Sequence, residues 1–242
     1  VQTPPALPLT TKEMDAIYEL PFQRRWHPDY DAAGGVPALQ EVQFSLTSQR
    51  GCFGHCHFCA ITSHQGPIIQ SRSHESLLRE AKHMTHLPGF KGYIHDVGGP
   101  TANFRHPACQ KQLKAGVCKN KHCIGSEICP NLDTSHEDYR KLLKEIRSIP
   151  GVKKVFVRSG LRYDYVLADH NKKFVEELCQ YHVSGQLKVA PEHVVKHVTD
   201  LMGKADVYAF LKFKDWFDEA NRKLGKKQYL VPYFMSSHPK TP

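Results

Sequence analysis

Three cysteines fall within eight residues, Cys52, Cys56 and Cys59, spaced C-x3-C-x2-C. Thiolates on one short loop can converge on one metal centre, and soft sulfur ligands favour iron–sulfur clusters, zinc or copper. The count of three is informative. A closed structural zinc site takes four ligands, and so does a cluster whose every iron is held by protein. Either a fourth ligand comes from elsewhere, with His55, His57 and His64 at hand for a zinc loop, or one position stays open for something that reacts. Four more cysteines, Cys109, Cys118, Cys123 and Cys129, lie within 21 residues of irregular sequence, as C-x8-C-x4-C-x5-C-P. Zinc and a second iron–sulfur cluster both suit such a group. His106 or His122 can replace a ligand; disulfides and free thiols are the remaining readings. Cys179 stands on the apolar face of a predicted helix and reads as a core thiol.

The elements that must position these groups alternate between strands and helices. Strands are expected at Val42–Thr47, Gly92–Val97, Lys154–Arg158, Leu187–Ala190 and Gln228–Met235. Helical spacing predicts helices near His74–Leu87, Glu137–Ile149, Lys172–His182, Val194–Met202 and Asp206–Leu224. Ser73 is the expected N-cap of the first, and Ser135 with Asp138 has the capping-box pattern for the second. The last carries the stripe Val207, Phe210, Leu211, Phe217, Ala220 and Leu224, closed by Gly225. Strands separated by helices predict an α/β fold with a parallel sheet and helical crossovers. Residues 1–38, rich in Pro, Gly and Asp, read as an extended N-terminal segment with a short helix near Thr11–Tyr18, wrapping the outside of the core. Residues 39–242 form the core, and residues 104–133 break its pattern as a Cys-rich insertion.

In a parallel α/β core, reactive groups collect at the C-terminal ends of strands. The first strand leads to the cysteine loop. The second leads to Gly98 and Gly99, where a ligand can approach the backbone. The third ends in Arg158 and Ser159, the fourth in Glu192 and His193, the fifth in Ser236-Ser237-His238. A Glu-His pair there can bind substrate or move protons; it can equally cap the next helix.

The chain has 242 residues, 40% hydrophobic, and its longest apolar runs are too short to span a membrane. No charged-then-apolar signal segment opens it. Clustered thiols fit a reducing cytoplasm better than a disulfide framework. The net charge of +9 and pI near 9.1 permit an anionic partner such as RNA. The basic residues are spread as Lys-Lys pairs over predicted helices, which suits solvated helix faces, and no arginine-rich arm or RNP-like aromatic motif is present.

The loop RGCFGHCHFCAI, with Phe58 before the last cysteine, resembles the signature of radical SAM enzymes. The flanking HQG and the stretches at Tyr18–Phe22, Ser71–Ser73, Asp96–Asn103, Val189–His193 and Ser236–Pro239 are similar to the YgiQ-type family of that superfamily. The resemblance implies a partial (β/α) barrel, a 4Fe-4S cluster on Cys52, Cys56 and Cys59, and S-adenosylmethionine on the open iron. It implies a radical that takes hydrogen from an unidentified substrate, and an electron donor as partner. By the same resemblance the backbone of Phe58 meets the adenine. Gly98 and Gly99 meet the methionine amino group, with Pro100 standing where the superfamily has Glu. Arg158 can fork onto the carboxylate, and Ser159 can reach the ribose; the bland alternative is an Arg–Asp surface pair. The family barrel has six strands and five are counted, so an open side is expected. The rival reading is a non-catalytic zinc-stabilised module that binds RNA or another anion.

Overall fold

The computed structural model describes residues 3, 6–125 and 127–241. The N-terminal segment carries α1, Thr11–Tyr18, where Thr10 and Glu13 form a capping box. It is held from outside. Met14 is fully buried, Asp15 accepts from Ser73 N at 2.9 Å, and the Tyr18 ring lies under Arg72 at 4.1 Å. A single helical turn, α2 (Leu39–Val42), then precedes β1, Ser45–Thr47. The strand expected from Val42 therefore starts three residues late. Gln43 N donates to Leu39 O at 2.8 Å, and Arg24 Nη1 takes Gln43 O at 2.6 Å. Those carbonyl and amide groups are spent on the turn and on the N-terminal segment, so no ladder can use them.

After β1 come the short β2 (Gln49–Arg50), α3 (Ile61–Gln65) and β3 (Gln70–Ser71). β2 and β3 pair antiparallel, which departs from the all-parallel expectation. They belong to the excursion that carries the cysteine loop. α4 (His74–Met84) follows with Ser73 as its N-cap, as expected, and ends three residues early. The second expected strand is two pieces, β4 (Tyr93–Ile94) and β5 (Asp96–Gly98). It changes partner at His95: β5 pairs parallel with β1, while β4 pairs parallel with β6, Lys154–Val155.

The insertion contributes α5 (Gln110–Ala115), and α6 (Glu137–Arg147) follows it. The capping box expected at Ser135 and Asp138 does not form. Ser135 Oγ accepts only from Glu137 N, at 3.3 Å. Asp138 instead accepts from His74 Nε2 and Arg105 Nε, both at 3.0 Å. Burial would raise its carboxyl; His74 and Arg105 hold it down at about 2. Beyond β6 come α7 (Tyr163–Ala168) and α8 (Lys173–Glu177), the latter continued by one π turn, Leu178–His182. Then follow β7 (Gln186–Glu192), α9 (Lys196–Met202), α10 (Val207–Leu224) and β8 (Tyr229–Phe234). Asp206 caps α10 and Gly225, at φ +60°, ends it. Leu211, expected in its core stripe, is exposed, while Phe213 is fully buried in its place.

β7 and β8 pair parallel, and a single parallel bridge, Leu161 to Val189, ties the third strand segment to β7. The segments thus stand in chain order, each beside the next. The fold is mixed α/β built from short strand pairs, and no barrel closes among the described residues. The main core is mostly aliphatic: Leu46, Val97, Val155 and Val189 from strands meet Leu77, Leu142, Ile146, Phe174 and Phe217 from helices. A smaller satellite core of Phe53, Phe104, Ile124 and Tyr165 lies beneath the cysteine loop and the insertion. Among the described residues no helix is long and apolar enough to cross a membrane.

Candidate functional site

β1 delivers the chain to the cysteine loop, and buried side chains fix the handover. Arg72 Nη1 donates to Thr47 O at 3.2 Å and Arg105 Nη1 to Ser48 O at 2.7 Å. Gln49 Nε2 donates to Thr101 O at 2.6 Å. The loop itself is pinned along its length. Cys52 N donates to Gly66 O at 3.0 Å, His57 N to Met202 O at 2.9 Å, and Cys59 N to Cys56 O at 3.0 Å.

Each thiol meets a different partner. Cys52 Sγ accepts from Gly54 N at 3.4 Å and lies 3.8 Å from Thr101 Oγ1. Cys56 Sγ accepts from Arg162 Nη1 at 3.3 Å. Cys59 is exposed, and all eight cysteines are free of disulfides. Among the described residues, no three His, Cys, Asp or Glu side chains already stand where they would hold a metal ion.

Arg162 is 5% exposed, and every part of it is held. Its Nε and Nη2 donate to Asp164 Oδ1 and Oδ2 at 2.9 and 2.6 Å, a bidentate fork. Its backbone N donates to Asn103 Oδ1 at 3.0 Å, and its carbonyl accepts from Asn103 Nδ2 at 3.2 Å. Asn103 Nδ2 also reaches His136 Nε2 at 3.1 Å, so that nitrogen accepts, and Nδ1 donates to Asp169 Oδ2 at 3.0 Å. A second buried cation, Lys204, lies 4.0 Å from Glu192 Oε1. Burial pushes the Cys56 thiol up, and Arg162 and Lys204 oppose it. Burial also works against the Asp164 carboxylate, and Arg162 more than reverses that, so Asp164 is held below the usual range. Burial pulls Lys204 down, with Arg162 adding to it. Burial pushes Glu192 up. Glu192 sits at φ +68°, and its Oε2 has no hydrogen-bond partner.

Gly98, Gly99, Arg158 and Ser159 line one cavity of about 500 Å³, together with Glu41 and Asp96. The glycines are required by packing. A Cβ at Gly98 would lie 2.5 Å from Ser159 Oγ, and one at Gly99 2.7 Å from the backbone oxygen of Gln49. Gly98 O already accepts from Ser48 N at 2.7 Å. Asp96 organises the third strand end: it accepts from Arg158 N at 2.7 Å, Ser159 N at 3.0 Å and Ser159 Oγ. The half-exposed Arg158 guanidinium pairs with Glu41 at 3.5 Å. The Arg–Asp pair of this stretch is Arg162–Asp164, and it is buried, not at the surface. Glu192 and His193 face different partners: His193 Nδ1 accepts from Val195 N at 3.0 Å, at the approach to α9. Phe58 is 39% exposed.

The second cysteine group gathers around Cys123. Cys129 N donates to Cys123 O at 3.0 Å, and both side chains pack on the satellite core. Cys123 is pushed up to about 11 by burial, then by the thiols of Cys109, Cys129 and Cys118, so all four share one neighbourhood. His106 spends its ring nitrogens on backbone, with Nε2 3.1 Å from Ser135 O and Nδ1 3.2 Å from Pro107 O. His122 bridges the two cysteine groups, its ring 4.6 Å from His55 and 5.9 Å from His57. A cavity of about 710 Å³ opens between the insertion, α7 and α10, reaching Cys129, Asp164, His170 and Lys212. Cys179 is fully buried and raised to about 12 by burial, as a core thiol should be.

Sequence reasoning passed over Asp96, Asn103, Asp164 and Lys204 as individual groups. Asp164 had a local signal, standing two residues from an arginine at a strand end. Lys204 had none, because its burial is set by distant elements.

The family model described as Radical SAM N-terminal matches residues 1–45. The chain is 56% identical over 239 residues to a UPF0313 protein of Clostridium botulinum (strain Okra / Type B1), covering 99% of this chain and 37% of that protein. It is 54% identical over 235 residues to a UPF0313 protein of Clostridium perfringens (strain SM101 / Type A), covering 97% of this chain and 36% of that one. The chain thus spans little more than a third of the length of the curated relatives it matches. Taken together, a model match over residues 1–45 and more than half of the residues identical along nearly the whole chain support the radical SAM superfamily and, within it, a fragment of the YgiQ-type family.

Proposed function

We propose that this chain is the radical-generating core of an enzyme. In this reading, residues 39–242 form a partial (β/α) barrel interrupted by the insertion 104–133, and residues 1–38 wrap it. The observation that carries it is the placement of Arg162, a buried cation whose Nη1 donates to Cys56 Sγ. Asp164 already matches its charge, so Nη1 is the donor left over, and a donor aimed at sulfur suits a thiolate that ligates a cluster. The donor chemistry fits as well. Three soft thiols share one loop, and Gly54 leaves room beside Cys52 Sγ, 3.3 Å from where a Cβ would stand.

Cys52, Cys56 and Cys59 would hold a 4Fe-4S cluster with one iron open to S-adenosylmethionine. When bound, that pair supplies one-electron cleavage of the sulfonium, giving a 5′-deoxyadenosyl radical that takes hydrogen from the substrate. The protein's own work is binding and orientation. Gly98 and Gly99 admit the methionine end against the backbone. Arg158 exchanges Glu41 for the carboxylate, Ser159 reaches the ribose, and the backbone of Phe58 meets the adenine. Glu192, with a free buried oxygen, and His193 hold the substrate. Cys109, Cys118, Cys123 and Cys129 hold zinc or a second iron–sulfur cluster.

The test is iron, sulfide and zinc analysis of the full chain after anaerobic reconstitution, with EPR of the dithionite-reduced protein before and after adding S-adenosylmethionine. About four iron per chain, or about eight if the second group also takes a cluster, is expected, with a signal that changes on addition. Alanine at any of Cys52, Cys56 or Cys59 should abolish S-adenosylmethionine cleavage and the signal change on its addition. Zinc alone, after reconstitution has failed, would sink this reading. It would favour the zinc-stabilised RNA- or anion-binding module, whose affinity falls steeply with salt.

A further inference from the structure

Arg162 is more than a counter-charge. The fork to Asp164 and burial to 5% exposure fix its guanidinium, and the Asn103 amide fixes its backbone, accepting from Arg162 N and donating to Arg162 O. A buried arginine held only for folding has no need to aim a donor at sulfur. This one gives two nitrogens to Asp164 and turns the third to sulfur, 3.3 Å from Cys56 Sγ and 3.5 Å from Gly54 O. Gly54 permits that approach, since a Cβ there would stand 2.9 Å from Arg162 Nη1. The other two loop cysteines have no such donor: Cys52 Sγ has a backbone N–H and a hydroxyl beside it, and Cys59 is exposed. Of the three thiols, Cys56 is therefore the one that takes a hydrogen bond from a permanently charged group.

We propose that Arg162 is a positioning residue that sets the reduction potential of the centre held by this loop, with Asp164 as the opposing charge that moderates it. The proposal rests on the reading of Cys52, Cys56 and Cys59 given above. The physics is general. A hydrogen bond to a ligand sulfur and a nearby positive charge both favour the state carrying one more electron, and so raise the potential. A nearby carboxylate lowers it. In a dry site these effects are poorly screened.

The two charges make opposite predictions, which separates tuning from mere folding. The full chain is reconstituted anaerobically with iron and sulfide, and the midpoint of its one-electron couple is read by mediated dithionite titration, followed by EPR and visible absorbance. Arg162→Gln should shift the midpoint to more negative values. Asp164→Asn, which leaves Arg162 charged, should shift it to less negative values. Arg162→Lys keeps the charge without the fork, and should fall between the parent and Arg162→Gln. A purely structural pair would lower iron content in all three variants and leave the midpoint of whatever cluster assembles unchanged. That result overturns the proposal. Should Arg162→Gln fail to assemble a cluster, Asp164→Asn and Arg162→Lys decide: unmoved midpoints at full iron content overturn it, and shifts in the stated directions sustain it. A parent chain that takes up no iron refutes the underlying reading of the three cysteines, and this proposal falls with it, by a different observation.

Discussion

The two cores of this molecule are built from different materials. The main core is mostly aliphatic and joins strands to helices: Leu46, Val97 and Val155 against Leu77, Leu142 and Ile146. The satellite core is richer in aromatic rings. Phe53 stacks on Phe104 at 3.8 Å, Tyr165 meets both edge-on, and Cys52, Cys123 and Cys129 pack at its margin. Aliphatic side chains fill the space between regular elements, where pleat and helix fix their spacing. The satellite lies under two irregular loops, and there a few large flat rings bury much area from few positions. The main core sets the strand array. The satellite sets where one cysteine group sits relative to the other.

The strongest way to break this contrast is to remove one ring from each. Phe53→Ala and Phe217→Ala should each cost about 3–5 kcal/mol in urea unfolding, since both rings are fully buried. Only Phe53→Ala should also reduce iron retained after reconstitution. Equal iron loss in both would show that the satellite has no special hold on the loop.

A second difference is titration. His182 lies beside the main core, 3% exposed, with Nδ1 donating to Val155 O at 2.8 Å. Burial holds it down at about 4, against an ordinary value of 6.5. Between those values the unfolded chain binds a proton that the folded chain refuses. Stability is therefore fully present above about pH 6.5 and falls as the pH drops toward 4, by up to ~3 kcal/mol. Denaturation midpoints across pH 7 to 4 should show the fall, and His182→Gln should flatten it. A variant with the same slope as the parent would assign the dependence to other groups.

The smallest effect sharpens the link between satellite and charge. Gly54→Ala places a methyl 2.9 Å from Arg162 Nη1. The overpacking should cost about 1–3 kcal/mol, and the displaced guanidinium should move the midpoint in the same direction as Arg162→Gln. An unmoved midpoint with full iron would mean the contact with Cys56 survives.

What the sequence disclosed follows the range of each interaction. The helix start at His74 was readable because a cap is a local bond, from Ser73 to the next turn; α10, expected from Asp206, starts one residue later because Asp206 is its cap. The capping pattern at Ser135 misled because Asp138 is claimed by His74 and Arg105, neither nearby in sequence. Val42 reads as strand by type, yet Arg24 holds its neighbourhood in a turn from 19 residues away. The three loop cysteines stood out by spacing alone. Arg162 and Lys204 did not, because what marks them is burial beside Cys56, a product of the assembled fold.

The order of the strand segments has a further consequence. β1 pairs with β5, β4 with β6, Leu161 with Val189, and β7 with β8. No strand has to be inserted later between two that already stand side by side. A ribosome releasing this chain would thus supply each ladder's partner in turn, and the array would grow at one margin only, the newest strand.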